Sequence, residues 1–266
     1  MADDLKLIGE LFPEITSGKG VTQNEFHLYD VFNHSMAAVG ELEKIFDNNI
    51  SDFFPRLNEP GNFLKDEIVP GRKRASLLKL ATLLHDVGKP GTRELKDDRV
   101  TFYGHQTAGS EIVKEIAARL MLSKKEENYI ALLVEHHMRP ILLSGLDDVT
   151  ARARYRLFRD TGEYFPDLML LTMADMAAGK GPASSDEMQA RHKDFCIRLL
   201  NEYDRKSSEV KPPRYLDGVG VMEILDMPPG PDVGKILDDL AEASAIGIVK
   251  SREESEKYIT DRYMKN

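Results

Sequence analysis

Cysteine pairs, long apolar runs and an excess of positive charge are all missing from this chain of 266 residues. The single cysteine, Cys196, excludes a disulfide within the chain, so stability must come from packing and from any bound metal, and we expect Cys196 to be buried. No run of about 18 apolar residues occurs, and the acidic N-terminus is unlike a signal peptide. These absences predict a cytoplasmic protein with no membrane partner.

The formal net charge of −9 restricts the ligands that the protein attracts. Broad, sequence-independent wrapping of nucleic acid relies on many Lys and Arg contacts to phosphates, which an acidic chain does not supply. A local basic site is still compatible with this net charge. Inward-pointing carboxylates, by contrast, attract divalent cations.

Alternating polar and apolar runs are rare, and apolar residues instead recur at intervals of three and four. This pattern predicts an all-α protein. The predicted helices cover residues 24–46, 75–87, 105–122, 124–138, 148–160, 166–178 and 185–205. The second of these is apolar nearly all round, which predicts a buried central helix. A charged loop with a short hairpin is expected over residues 95–104.

A domain boundary is expected near residue 210, where a Lys-Pro-Pro sequence interrupts the helical pattern. The predicted domains are residues 1–210 and a small helical annex, residues 211–266. In the annex, a proline-started helix should end at Gly247. Ser251 and Glu254 should form a capping box for the last helix.

His85 and Asp86 lie at the C-terminal end of the most apolar predicted helix. A lone ionised carboxylate is disfavoured there, because burial removes its hydration and the helix C-terminus carries a partial negative charge. A cation is therefore needed nearby. A divalent metal bound by both side chains would satisfy this need, and so would an arginine or lysine partner.

Further His and Asp side chains are predicted to point inward from other helices. His105 shares a stripe with apolar residues at 108, 112 and 116, Asp175 shares one with those at 168 and 171, and His34 lies mid-helix among small residues. One of His136 and His137 should point inward, but periodicity does not choose between them. Taken alone, each of these residues is more often an ordinary core or surface residue than a metal ligand. Together they indicate a site for one or two metals, because every buried polar group needs a partner.

The order of these residues also carries a resemblance to a known family. His34 and the sequences LLHDVGK, FYGHQ, EHHMRP and MADMAAG resemble the HD superfamily of metal-dependent phosphohydrolases. Within it, VTQNEFHLYDVFNHS, FYGHQTAGSEI, LVEHHMRP and PPGPDVGKIL are similar to the C-terminal half of bacterial CCA-adding tRNA nucleotidyltransferases, which are related to poly(A) polymerases. The similarity covers nearly the whole chain. It implies an all-α, HD-domain helical bundle with a small C-terminal helical annex.

The resemblance implies roles for individual residues. The metal ligands that it implies are His34, His85, Asp86 and Asp175, with His105 and His137 as ligands in members that hold a second metal. His137 is favoured over His136 because it directly precedes the MRP sequence. We expect Asp86, Lys89, His105 and His137 to be catalytic. Lys89 and the two histidines would neutralise charge on the phosphoryl oxygens, or the two histidines would hold a second metal. Lys89 matches a lysine that often lies near a bound phosphate, and Arg139 is a weaker candidate for the same task.

A further histidine and a group of arginines each have both a functional and a structural interpretation, and another histidine has only a structural one. His27, seven residues before His34, would share a helix face with it and line the pocket as a substrate-binding residue, although a hydrogen-bonded position outside the metal shell is commoner. Arginines at 152, 156 and 159 form a stripe that suits phosphates but more often pairs with nearby acidic residues. His192 stands among charged residues and is expected to be exposed.

The chain departs from the nucleotidyltransferases in lacking a Gly-Gly dipeptide, a strand-borne Asp-x-Asp pair and an N-terminal head. Nucleotide addition by this chain alone is therefore not expected. The start at Met1 favours a stand-alone descendant of the HD half over a piece of a longer protein.

We therefore expect metal-dependent hydrolysis of a phosphomonoester or phosphodiester, with a nucleotide or an RNA terminus such as a 2′,3′-cyclic phosphate as the substrate. The nitrogen and oxygen ligands fit one or two Mn²⁺, Fe²⁺, Ni²⁺, Co²⁺ or Zn²⁺ ions better than Ca²⁺, and Mg²⁺ fits if waters complete its shell. Two alternatives stay open: a tRNA-binding or other RNA-binding module without catalysis, and a regulatory sensor of metal or nucleotide. The sequence predicts no particular oligomeric state.

Overall fold

The computed structural model describes residues 2–47, 62–97, 99–208 and 214–264. Over these residues the chain is all-α apart from two small antiparallel sheets of two strands each, as the sequence predicts. Two compact units are present, one formed by Met1–Asp147 with Thr161–Asp204 and the other by Asp148–Asp160 with Arg205–Asn266. In the described part of the chain, no helix combines the length and the apolar character that crossing a bilayer requires.

The helices and strands follow one another as short and medium-length elements. The helices are α1 (Ala2–Leu11), α2 (Pro13–Thr16), α3 (Val31–Asp47), α4 (Arg74–Leu84), α5 (Lys89–Thr92), α6 (His105–Arg119), α7 (Lys124–His136), α8 (Met138–Ser144), α9 (Ala151–Thr161), α10 (Phe165–Gly179), α11 (Asp186–Ser208), α12 (Gly218–Leu225), α13 (Pro231–Ala245) and α14 (Arg252–Tyr263). The strands are β1 (Glu67–Val69), β2 (Arg72–Lys73), β3 (Glu94–Lys96) and β4 (Arg99–Thr101).

Helix α10 forms the centre of the first unit. All of its residues from Asp167 to Asp175 are buried, because the sequence of this helix is apolar on nearly every face. Helices α3, α4, α7 and α8 pack against it. The helix predicted to be central, α4, forms where predicted but keeps an exposed edge at Ser76, so the most deeply buried helix is α10 instead.

The helix predicted over residues 24–46 begins later, as α3. The Asp30 carboxylate accepts a hydrogen bond of 2.7 Å from the backbone N–H of Asn33, which is a helix-capping contact. The residues before Asp30 pair instead with the segment after α10, through a bridge between His27 and Lys180. The prediction that His27 and His34 share a helix face is therefore wrong.

Most of the other predicted elements are present. The hairpin expected within residues 95–104 is β3 with β4, which pair from Glu94 opposite Thr101 to Lys96 opposite Arg99. The β1–β2 hairpin was not expected, because strands of three and two residues are too short to show alternation. The helix expected over 124–138 is interrupted at His137, between α7 and α8.

The second unit has its own small core. The buried side chains of this core are Leu216, Val221, Val233, Ile236, Leu240 and Ile259. The predicted proline-started helix is α13, and Gly247 follows it with a φ of 77°, as expected for a glycine beyond a helix end. Ser251 caps α14 by accepting the Glu254 N–H at 3.2 Å. The Glu254 carboxylate accepts from the Lys250 N–H at 2.7 Å, so the predicted capping box is only half formed.

The predicted domain boundary near residue 210 falls within residues 209–213, which lie outside the described residues. The two units differ from the predicted domains because Asp148–Asp160 groups with the second unit rather than the first. Within that unit, Arg156 Nε donates to the Glu242 carboxylate at 2.7 Å, and Arg152 Nε lies 2.5 Å from it. Two of the three arginines of the stripe thus pair with an acidic side chain of α13, and the third, Arg159, pairs with Asp160.

Candidate metal centre

Four histidines and two aspartates from distant parts of the first unit converge in its interior. They are His34 of α3, His85 and Asp86 directly after α4, His105 at the start of α6, His137 between α7 and α8, and Asp175 of α10. All six residues are buried, with exposed fractions of 7% or less. The sequence predicts each of them as a metal ligand, and the structure brings all six together.

Two imidazoles and two carboxylates make up the first group of this cluster. His34 Nε2 lies 2.9 Å from Asp175 Oδ1 and 3.6 Å from Asp86 Oδ2. His85 Nε2 lies 3.5 Å from the same Asp175 oxygen and 3.2 Å from the same Asp86 oxygen. Ligand atoms of His34, His85 and Asp86 all lie within 4.8 Å of one another, which is a set of donors that one divalent ion can take. Asp175 contacts both imidazoles of this set.

Asp86 faces a second pair of histidines through its other oxygen. Oδ1 lies 3.5 Å from His105 Nε2 and 3.6 Å from His137 Nε2. The two Nε2 atoms are 3.3 Å apart. Ligand atoms of Asp86, His105 and His137 all lie within 4.8 Å of one another, so this group could also hold an ion. Asp86 therefore lies between two ligand groups and offers one oxygen to each.

Backbone carbonyls fix the orientation of three of the imidazoles. In each, Nδ1 lies 2.7–2.8 Å from the carbonyl of the residue three positions earlier, which is Thr82 for His85, Phe102 for His105 and Val134 for His137. Because Nδ1 donates its proton to the carbonyl, the lone pair of the neutral ring is on Nε2, which faces Asp86. Histidines that ligate metals are commonly oriented in this way.

Several polar atoms at the centre are buried without a hydrogen bond. Within the described residues these are His85 Nε2, His34 Nδ1 and Asp86 Oδ1, whereas Asp86 Oδ2 forms an ion pair with Lys89. A neutral His85 would direct its lone pair at an Asp86 oxygen only 3.2 Å away, which is unfavourable unless a proton or a cation lies between them. The donor set therefore fits a divalent cation, which would satisfy these nitrogens and oxygens together.

The charges of the cluster shift its pKa values. Burial by itself would lower the pKa of His85, but the negative charges of Asp86 and Asp175 outweigh it and raise that pKa to about 10. Burial would raise the pKa of both aspartates, yet the charge of His85 holds both well below their usual range. Burial lowers the pKa of His105 to about 4. The carboxylates thus stay ionised, which is the form that a metal requires.

Lys89 reaches the same centre from the turn after α4. Its side chain is 8% exposed, and its Nζ lies 2.6 Å from Asp86 Oδ2 and 2.7 Å from Gln23 Oε1. The Phe102 ring centroid is 5.5 Å from Nζ. The lysine predicted to bind phosphate therefore lies at the metal cluster. Sequence reasoning missed Gln23, because a neutral residue in a loop carries no periodic signal.

The turn between α4 and α5 explains how Asp86 and Lys89 reach the centre. The Asp86 carbonyl accepts a hydrogen bond of 2.9 Å from the Lys89 N–H, which closes the turn. At Gly88, an added Cβ would lie 2.1 Å from the His105 carbonyl oxygen. Glycine is required at this position, because only a residue without a side chain lets the turn approach the first turn of α6 so closely.

His27 lies beside the cluster rather than on α3. Its ring centroid is 4.7 Å from that of His34, and its Nδ1 lies 2.8 Å from Asn24 Oδ1. Burial, followed by the positive charge of Lys89, lowers the pKa of His27 to about 3. His27 is therefore a neutral side chain next to the first ligand group.

The two adjacent histidines of the EHHMRP sequence differ in their environment. His137 is fully buried in the cluster, whereas His136 is only partly buried. The structure thus separates two positions that periodicity left open. Arg139, the weaker candidate for phosphate binding, is partly buried in the first turn of α8, and its role stays a prediction.

His192 contradicts the prediction of an exposed side chain. It is 1% exposed, its Nδ1 lies 2.9 Å from Ser144 Oγ, and its Nε2 lies 3.5 Å from Cys196 Sγ. Cys196 is buried, as predicted. The signal for His192 was present in the sequence, because Phe195, Cys196 and Leu199 follow at helical spacing and are all buried.

The chain is similar to known proteins over most of its length. A family model described as "HD domain" matches residues 27–175, a range that contains the whole cluster. The A-adding tRNA nucleotidyltransferase of Deinococcus radiodurans is 34% identical over 258 residues, which are 96% of this chain and 52% of that enzyme. The CC-adding tRNA nucleotidyltransferase of Thermus thermophilus is 28% identical over 256 residues, which are 95% of this chain and 50% of that enzyme.

A more distant relative shares a smaller region. The bifunctional uridylyltransferase/uridylyl-removing enzyme of Phenylobacterium zucineum is 27% identical over 184 residues, which are 67% of this chain and 18% of that enzyme. The chain spans about half the length of the two tRNA nucleotidyltransferases that it matches. The family match itself covers more than half of the chain and all six residues of the His/Asp cluster. This chain belongs to the HD domain family.

Proposed function

We propose that this chain is a metal-dependent phosphohydrolase that cleaves a phosphomonoester or phosphodiester of a nucleotide or of an RNA terminus, such as a 2′,3′-cyclic phosphate. The observation that carries the proposal is the position of Asp86. One of its oxygens faces the imidazoles of the first group, the other faces those of the second, and Lys89 lies 2.6 Å away. Residues that could bind a metal and a lysine suited to phosphate thus surround one carboxylate.

The residues that would hold the metal fall into two sets. One ion would take His34, His85, Asp86 and Asp175, and a second would take Asp86, His105 and His137. Imidazole nitrogens with carboxylate oxygens favour Mn²⁺, Fe²⁺, Ni²⁺, Co²⁺ or Zn²⁺, and Mg²⁺ fits if waters complete its shell. When bound, such an ion supplies Lewis acidity, which lowers the pKa of a water and polarises a phosphoryl oxygen.

The protein's own groups would bind and orient the phosphate. The Lys89 ammonium would neutralise the charge that grows on the phosphoryl oxygens during in-line attack. Because Nδ1 of His105 and His137 donates to a carbonyl, we assign these two histidines to ligation through Nε2 rather than to proton donation. Asp86 counts as catalytic because both ligand sets depend on it.

Two further side chains are assigned to the substrate. His27 is neutral, and its Nδ1 is engaged with Asn24, so its Nε2 would accept a hydrogen bond from a substrate hydroxyl rather than bind a phosphate. Arg139 is the weaker candidate for a phosphate contact. The assignment of His27 places a substrate hydroxyl beside His34.

The names of the relatives support a nucleotide or RNA substrate. Two relatives are tRNA nucleotidyltransferases, and the name of a third includes "uridylyl-removing". Removal of a uridylyl group breaks a bond to a nucleotide phosphate, which is the reaction class proposed here. The transferase activity of the two tRNA enzymes is not part of the proposal, because the chain matches only about half of each.

An assay of the purified protein with a series of divalent metals, on a 2′,3′-cyclic nucleotide and on an aryl phosphate, tests the proposal. His85→Ala and Asp86→Ala should lose more than about 100-fold in activity, because loss of an outer-shell partner alone costs up to about that factor. The adjacent histidines provide a matched pair, in which His137→Ala loses activity and His136→Ala keeps it. Equal residual activity in the wild type, His85→Ala and Asp86→Ala would rule out catalysis at this cluster.

A second candidate function is tRNA binding without catalysis. It is favoured by the two tRNA nucleotidyltransferases, which match this chain over 95% or more of its length. The arginine stripe does not support it, because Arg152 and Arg156 pair with Glu242. Filter binding to tRNA at two salt concentrations distinguishes the candidates, since phosphate contacts make affinity fall with salt. Absence of salt-dependent binding would rule out the tRNA-binding function.

A further inference from the structure

Lys89 has two oxygen partners, and the neutral one has no part in the chemistry described above. Its Nζ lies 2.6 Å from Asp86 Oδ2 and 2.7 Å from Gln23 Oε1. The Phe102 ring centroid, at 5.5 Å, is within the range of a cation–π contact. A lysine ammonium has three N–H donors, so these two acceptors leave one donor for a further ligand.

The Gln23 amide is held in place by its own loop, which joins α2 to α3. Its Nε2 donates to the Tyr29 carbonyl at 3.2 Å, which directs Oε1 toward Lys89. The loop is closed at its ends by a hydrogen bond of 3.1 Å from the Val31 N–H to the Val21 carbonyl. The amide oxygen is therefore a preformed acceptor for the ammonium.

The two acceptors of Lys89 differ in their relation to the proposed metal. Asp86 Oδ2 is also a donor of the first ligand group, so its negative charge would be shared with a bound ion. Gln23 carries no charge and would accept a hydrogen bond from Lys89 whether or not a metal is bound. It holds the ammonium by a hydrogen bond without neutralising its positive charge.

We infer that Gln23 is a positioning residue for phosphate binding: it holds the Lys89 ammonium at the edge of the metal centre as a positive charge available to a substrate phosphate. The inference rests on the proposed function for the place of the phosphate. A neutral acceptor suits this role, because a carboxylate at position 23 would hold the lysine equally well but cancel its charge.

The test uses the full chain loaded with Mn²⁺, with inorganic phosphate as the probe and its affinity measured by titration calorimetry. Gln23→Leu removes the acceptor at similar volume and should weaken phosphate binding about ten-fold, with an unchanged Mn²⁺ content by elemental analysis. Gln23→Glu keeps the hydrogen bond and should weaken phosphate binding at least as much, while the unfolding temperature stays at or above that of the wild type.

A neighbouring residue of the same loop provides the matched control. The Thr22 hydroxyl has a 3.5 Å contact with Arg93 and none of the contacts of Gln23 with Lys89, so Thr22→Val should bind phosphate as the wild type does. Equal weakening in Thr22→Val and Gln23→Leu would overturn the inference, because the loop as a whole would then be responsible.

A merely structural role for Gln23 gives a different pattern. Gln23→Leu would lower the unfolding temperature, Gln23→Glu would restore it, and the phosphate affinity of both would equal that of the wild type; this result overturns the inference. A wild-type protein that binds no phosphate overturns it as well. If phosphate binds with the expected order of variants but no phosphate ester is hydrolysed, the inference stands and the proposed function fails.

Discussion

The two ends of α10 each bury an aspartate, but with different partners. Asp167, in the first turn, receives the Arg74 guanidinium, with Nε 2.9 Å from Oδ1 and Nη2 2.5 Å from Oδ2. The Tyr129 hydroxyl donates a further hydrogen bond to Asp167 at 2.7 Å. Asp175, two turns later on the same helix, faces imidazoles instead, with His34 Nε2 at 2.9 Å.

This difference separates a structural carboxylate from one suited to a metal. An arginine is charged at every physiological pH, so Asp167 has a permanent counter-ion. Asp175 is balanced instead by the charge of His85, whose proton a bound metal could replace, because a metal ligand must give up its proton. Burial does not distinguish the two ends of α10, because both aspartates are buried. The kind of partner does.

Arg74→Met should produce the largest loss of stability in this comparison, because it leaves the buried Asp167 carboxylate without its counter-ion. We expect the free energy of unfolding to fall by about 3–5 kcal/mol. Urea denaturation of the metal-free protein measures this loss. The cluster at the other end of α10 should still bind Mn²⁺ under conditions where the variant is folded.

A double variant provides the control for this prediction. Arg74→Met combined with Asp167→Leu removes both charges and should recover most of the loss, because a buried ion pair contributes little relative to apolar residues of similar size. A loss below about 1 kcal/mol in Arg74→Met alone would be that of an ordinary substitution. The guanidinium would then not be what sets the two ends apart.

At the other end of α10, a bound metal should stabilise the fold as the guanidinium does at the first. Mn²⁺ at about 100 times its Kd should raise the free energy of unfolding by about 2.7 kcal/mol. Asp175→Asn should abolish this increase, and in the presence of a chelator it should lose less stability than Arg74→Met. Urea denaturation with and without Mn²⁺ measures both quantities. The same increase in Asp175→Asn and the wild type would locate the ion away from Asp175.

The long helices could be predicted because their signals are local. The helix expected over residues 166–178 is Phe165–Gly179, since an apolar run between Pro166 and Gly179 defines it. The start of α3 had one local signal, the Asp30 cap. The contact that holds the residues near His27 outside the helix is made with the segment after α10, which is distant in sequence. A continuous apolar pattern gives no sign of such a contact.

The convergence of the six His and Asp side chains could be predicted because histidines and aspartates on inward faces need partners and because their order resembles a known family. The partners of Asp167 left no comparable signal, since Arg74 is 93 residues away in sequence and forms no spacing pattern with it. Gln23 is neutral and lies in a loop. His192 was expected to be exposed because its charged neighbours hid the apolar stripe that buries it.

Tyr129→Phe is the finest test of the contrast, because it removes one donor from Asp167 and leaves the guanidinium in place. Burial raises the pKa of Tyr129 well above its usual value, so the hydroxyl remains a donor at neutral pH. We expect a loss of about 1.5 kcal/mol in the free energy of unfolding, less than in Arg74→Met, because the carboxylate keeps its counter-ion.

Tyr103→Phe makes the same chemical change at a side chain that is 74% exposed, and should alter the free energy of unfolding by less than about 0.5 kcal/mol. Urea denaturation of both variants gives the comparison. If Tyr129→Phe cost as much as Arg74→Met, the hydroxyl would be as important to Asp167 as the guanidinium. The Arg74 counter-ion would then no longer explain why Asp167 has a structural role whereas Asp175 is suited to a metal.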